Sequence, residues 1–121
     1  MTLEKLDHEF SICKTEDFSG IKPDGEFTFI SKTDDEISVV CKTQDVPENT
    51  VARNDGWSCF RIAQALDFSL VGILSKITGI LAQANTGVFA VSTYNTDYIF
   101  VKSENSEKAS RLLSEAGYTV V

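Results

Sequence analysis

Cysteine is scarce in this chain: Cys13, Cys41 and Cys59 are the only three, widely spaced and without a CxxC pair. An odd, scattered set of that kind suits neither a disulfide framework nor a zinc site. Each lies among β-patterned apolar neighbours, where a reduced thiol serves as a small core residue. His8 is the single histidine, so a metal site or a catalytic triad would have to be built around one imidazole near the N-terminus. Basic residues are also few, 11 against 18 acidic, for a net charge of −7. Nucleic acids and anionic membranes call for clustered Lys and Arg, which excludes both as main partners. No apolar run approaches the roughly 20 residues that span a bilayer. The opening MTLEKLDHEF mixes charge and apolar residues and is not a signal peptide, so the expected location is cytoplasmic. No metal cluster, Gly-rich phosphate loop or other cofactor motif is present.

The chain does have enough apolar residues, 42% of 121, to pack a core as one ordinary domain or two very small ones. Its most informative stretch is DFSLVGILSKITGILAQANTGVFAVSTYNTDYIFV, from Asp67 to Val101. Leu70, Ile73, Leu74, Ile77, Ile80, Leu81 and Ala84 recur by threes and fours, which predicts an amphipathic helix. Gly72, Ser75, Lys76, Gly79 and Gln83 form its opposite, small-residue strip. Asn85 and Gly87 supply the left-handed stop. A β-rich Val88–Thr93, a turn over Tyr94–Asp97 and a return strand Tyr98–Val101 follow as a hairpin.

Before that unit, residues 8–14 alternate as a first strand, and Pro23-Asp24-Gly25 breaks a turn-rich connector in which Phe18 and Ile21 are apolar anchors. Residues 26–32 and 36–42 read as a hairpin joined by Thr33-Asp34-Asp35. Residues 43–56 read as a loop with one helical turn at Pro47, and 57–66 as the next strand, with Trp57, Cys59 and Arg61 on one face. After Lys102, Ser103 and Asn105 are capping residues for a helix carrying Ala109, Leu112, Leu113 and Ala116. Glu107 and Arg111 stand four apart as a supporting pair, Gly117 stops the helix, and the last residues form a strand.

Residues 57–121 therefore have the order βαββαβ, and two helices on one face of a four-stranded antiparallel sheet is the ferredoxin-like solution to it. Residues 1–56 repeat the outline with helices shrunk to loops, Ile30-Ser31 falling over Val91-Ser92. The expectation is an α+β chain of two tandem ferredoxin-like domains, 1–56 and 57–121, the first degenerate.

The turn Asp67-Phe68-Ser69 opens the long helix, so backbone N–H groups from about Ser69 to Gly72 are free to meet an anion such as a carboxylate. In a βαββαβ sheet the end of the second strand, Ser92-Thr93-Tyr94-Asn95 with Asp97 beyond, lies near that turn. Its hydroxyls and carboxylate suit an ammonium group, and the pair of features matches a zwitterion. The same residues also serve as ordinary caps and turn formers.

DFSLVGILSKITGILAQANTGVFAVSTYNTDYIFV closely resembles the ACT-domain family, in particular small bacterial double-ACT proteins, and is similar to the ACT modules of aspartate kinases and of the CASTOR group of cytosolic arginine sensors. ISKTDDEISVV and VPENT fit the same group. The resemblance implies that Asp67, Phe68, Ser69, Leu70, Val71 and Gly72 form an effector loop. It further implies that VSTYNTDY is the opposing wall, with Ser92, Thr93, Tyr94, Asn95 and Asp97 as ligand contacts. Many ACT domains read D-x-P-G, whereas here Gly72 comes five residues after Asp67 and no proline intervenes. It implies a homodimer that regulates a separate partner protein, with an amino acid as ligand and no cofactor. The alternative is a ligand-free dimerisation or protein-interaction module. Catalysis is not expected: acylphosphatase, on the same βαββαβ order, needs an Arg in the first turn, and DFSLVG has none.

Overall fold

A computed structural model describes residues 1–65 and 72–121. Those residues form two compact units, one of His8–Trp57 and one that joins Met1–Asp7 to Ser58–Val121. The chain changes unit between Trp57 and Ser58, and the first seven residues belong with the C-terminal unit.

The C-terminal unit is a mixed α+β layer structure. Its strands are β1 (Thr2–Lys5), the end of β5 (Thr50–Ile62), β6 (Val88–Ser92), β7 (Asp97–Lys102) and β8 (Thr119–Val120), and its helices are α1 (Ile73–Gln83) and α2 (Ser106–Glu115). The order across the sheet is β6-β7-β5-β1-β8. This is the ferredoxin-like arrangement with one strand added. Thr2–Lys5, which the sequence left unassigned, lies between β5 and β8, antiparallel to the former (Leu3↔Ile62) and parallel to the latter (Leu3↔Val120). The expected wholly antiparallel sheet is corrected in that one pairing. TLEK has only Leu3 to bury, so its strand state comes from partners far along the chain rather than from local pattern.

Both helices cover one sheet face. Ile77 and Leu81 of α1 and Ala109 and Leu113 of α2 close over Leu3, Phe60, Ile62, Ile99 and Val101, all fully buried. Burying a side chain of that size contributes about 1.5–3 kcal/mol against exposure. Phe60 and Ile62, irregular in the sequence pattern, are thus the helix-facing residues of β5. Asn85 ends α1 with φ 56° and Gly117 ends α2 with φ 103°, both in the left-handed region as the sequence predicts. The start of α2 differs: Ser103–Asn105 form a 3-10 turn, the cap residue Asn105 makes no side-chain cap bond, and the helix begins at Ser106. Arg111 pairs with Glu115 at 3.8 Å rather than with Glu107.

The N-terminal unit contains β2 (Phe10–Thr15), β3 (Phe29–Lys32), β4 (Ile37–Lys42) and the first part of β5, in the order β3-β4-β2-β5. No α-helix lies within it. Cys13, Ile21, Ile37, Val39 and Cys41 pack as its core, with Val46 against them, whereas Phe18 is 51% exposed. The region expected as a loop over 43–56 is instead a 3-10 turn at Thr43–Asp45 followed from Thr50 by strand. The polar run ARND is held extended by pairing with β2, where Cys13↔Arg53 and Lys14↔Ala52 are partners.

The two units repeat one scheme. In each, a threonine turn closes a hairpin: Thr33 N–H donates to the Glu36 carbonyl and Thr93 N–H to the Thr96 carbonyl, both at 2.9 Å. In each, a 3-10 turn follows the hairpin, opened by Thr43 or Ser103. A serine hydroxyl on an adjoining strand bonds that opening hydroxyl, Ser11 to Thr43 at 2.9 Å and Ser58 to Ser103 at 3.0 Å. The equivalence sets Lys32 against Ser92, one position from the alignment read in the sequence.

Candidate functional site

The β6–β7 hairpin is built from Val88–Ser92 and Asp97–Lys102, with Ser92 directly opposite Asp97. Its threonines are spent on the turn. The Thr93 hydroxyl lies 3.1 Å from the Thr96 carbonyl and 3.4 Å from the Thr96 N–H. Thr96, buried, donates its hydroxyl to the Ile62 carbonyl at 2.9 Å. That last bond ties the hairpin tip to the end of β5. Tyr94 is 83% exposed at the tip, and Asn95 and Ser92 are exposed beside it. Asp97 is half-buried.

The internal repeat shows which of these residues the fold itself requires. Thr33 fills the place of Thr93 and its hydroxyl serves the N–H groups of Asp35 and Glu36, both at 3.1 Å. A threonine is therefore a demand of the turn. At the place of Asp97 the N-terminal unit has Ile37, a buried core residue. A carboxylate where the scaffold accepts an aliphatic side chain is not explained by the turn.

Gly72 is the one described residue of the expected effector loop. It is the N-cap of α1, left-handed at φ 78°, with no side-chain cap bond. The helix starts at Ile73, so Ile73, Leu74 and Ser75 contribute uncapped first-turn N–H groups. Gly72 borders a groove with Lys76, Ile80 and residues 116–118, none of them from the hairpin. Asp67, Phe68, Ser69, Leu70 and Val71 lie outside the described residues.

One arrangement was not singled out from the sequence. Arg61 on β5 reaches Glu4 on β1 at 3.2 Å. The Tyr98 hydroxyl, and after it Glu4, hold the Arg61 guanidinium even more firmly protonated than usual. These two partners engage Arg61. The three thiols are buried, and burial first of all raises the pKa of each, Cys41 to about 12. They are therefore neutral core groups and poor nucleophiles. Among the described residues, no group of three or more His, Cys, Asp or Glu side chains stands together as a metal site, and no helix is long and apolar enough to cross a membrane.

A family model described as the ACT domain matches residues 52–115, and a model of an N-terminal domain matches residues 22–49. The fold is similar to a crystal structure of an Agobacterium tumefaciens protein at TM-score 0.84 and 31% identity, covering 99% of this chain and 91% of that one. It is similar to a Vibrio cholerae protein of unknown function, described as a possible transport protein, at 0.71 and 16%, with 94% and 88% covered. It is also similar to the regulatory subunit of aspartate kinase from Thermus thermophilus in its ligand-free form, at 0.66 and 10%, with 95% and 96% covered. Curated protein sequences give no match. The ACT domain is a regulatory, ligand-binding module, and on the match of its family model over more than half of the sequence this chain belongs to the ACT-domain family.

Proposed function

We propose that the protein is a non-catalytic regulatory module that binds an amino acid beside the β6–β7 hairpin of its C-terminal unit. The observation that carries the reading is Asp97, a half-buried carboxylate at the position where the sister hairpin buries Ile37. Asp97 receives the ligand ammonium, aided by Ser92, Tyr94 and Asn95 at the same tip. The ligand carboxylate takes backbone N–H groups of the segment leading into α1, which brings Asp67, Phe68, Ser69, Leu70, Val71 and Gly72 to the site. Thr93 shapes the turn and contributes through its backbone. The module works as a cytoplasmic homodimer and passes the state of the site to a separate partner protein.

A thermal-shift panel of the twenty amino acids tests the reading. A true ligand present at 100 times its dissociation constant stabilises the native state by about 2.7 kcal/mol. One amino acid, or a few of related chemistry, should raise the midpoint, and Asp97→Asn should remove the response. A flat panel on folded protein would count against it. A second reading, a ligand-free dimerisation module, draws on β6, which forms one edge of the C-terminal unit's sheet with β7 as its neighbour. It predicts that Asp97→Asn changes the dimer and no ligand response.

A further inference from the structure

We infer that the C-terminal unit carries a second ligand site, separate from the hairpin, which takes an amphiphilic anion: a carboxylate on an apolar body. A groove of about 440 Å³ runs between α1 and the turn that follows α2. That volume lies within the range of about 300–1,000 Å³ typical of small-molecule sites. One wall is Ile73, Lys76 and Ile80, which stand three and then four residues apart and so share one stripe of α1. The other is the turn at Ala116–Tyr118.

The apolar floor is fixed. Ile73, Ile80 and Tyr118 are partly buried and packed against the core cluster of the unit. The far wall is fixed as well. Ala116, Gly117 and Tyr118 donate their N–H groups back to the Leu112, Ser114 and Leu113 carbonyls, each at 3.1 Å. Gly117 sits in that turn at φ 103°, the left-handed region that glycine adopts most easily. The groove is an open trough with packed walls, its lining polar and apolar in about equal measure.

Its charge selects the ligand. Among the described lining residues Lys76 carries the one charged side chain, and α1 contains no Asp or Glu. In a chain of net charge −7, this is a cationic spot among the described lining residues. A carboxylate beside Lys76 with hydrocarbon laid along Ile80 and Tyr118 satisfies both halves of the surface, and a cation of the same shape does not.

Titration of the full chain with octanoate, followed by amide chemical shifts and calorimetry, tests the inference. Shifts should cluster at Lys76, Ile80 and residues 116–118, and butyrate should bind on the order of 100-fold more weakly, from four fewer buried methylenes. Octylammonium should not compete. Lys76→Glu, at an exposed helix position, should lower octanoate affinity about tenfold or more while Asp97→Asn leaves it unchanged. Should octanoate give no shifts in the groove, bind equally to Lys76→Glu, or be matched by octylammonium, the inference is overturned. The amino-acid reading stands or falls on Asp97 and is untouched by those results.

Discussion

Asp97 and Ile37 hold the same place in two versions of one hairpin, each directly across from the last residue before its turn. That pairing makes a sharp residue-level prediction. Asp97→Ile should fold, with stability within about 0.5 kcal/mol of wild type, because the scaffold already accommodates isoleucine there; chemical denaturation checks it, and the amino-acid response should vanish. The reverse change, Ile37→Asp, puts an unpaired carboxylate in a core and should cost several kcal/mol. The thiols set a pH dependence of their own. Cys41 ionises near pH 9 as an ordinary exposed thiol in the unfolded chain and near 12 in the folded one, where burial disfavours the thiolate. Its folded pKa is raised, so the stability it supports is complete below pH 9 and is lost as pH climbs from about 9 to 12. Cys41→Val should flatten that alkaline decline in melts recorded from pH 7 to 11. Gly117→Ala meets no atom and suffers only from its left-handed φ, so it should cost about 1 kcal/mol.

At the level of elements, the strand that decides the C-terminal unit is its shortest-range puzzle. β1 stands between β5 and β8, and its Leu3 is fully buried in the helix-side core. Leu3→Ala should cost 2–5 kcal/mol, and amide exchange at Thr119 and Val121, whose N–H groups bond the Met1 and Leu3 carbonyls, should speed up before that of α1. Nothing in TLEK announced this strand, since a single buried leucine has no period to read. α1 was legible because Ile73, Ile77, Ile80 and Leu81 repeat at helical spacing over three turns. Both hairpins were legible because their turns hold residues with a mechanism, Thr33-Asp34-Asp35 and Tyr94-Asn95-Thr96. The first part of β5 was not: Ala52, Arg53 and Asn54 look like loop and are extended only through their ladder to β2. Helix starts were misread for a similar reason. Gly72 and the 3-10 turn at Ser103–Asn105 open the two helices without side-chain caps, so cap residues in the sequence were poor guides.

Seen as a whole molecule, the chain is one scheme written twice, with helices kept in the C-terminal unit and lost from the N-terminal one. The tandem α+β organisation was legible from the order of elements, and the family from the Asp67–Val101 stretch. The site was legible only as a set of residue types. That Thr93 and Thr96 are committed to the turn and to the Ile62 carbonyl, leaving Asp97 as the residue without a scaffold reason, required the coordinates. The proposed function rests on that division of labour: a repeated scaffold, and one departure from it that carries a charge. The most direct test is a backbone amide titration of the intact chain with the amino acid that gives the largest thermal shift. Perturbations concentrated at Ser92–Tyr98 and around Gly72, and abolished by Asp97→Asn, are the predicted result; saturable binding that leaves the hairpin amides unmoved would contradict it.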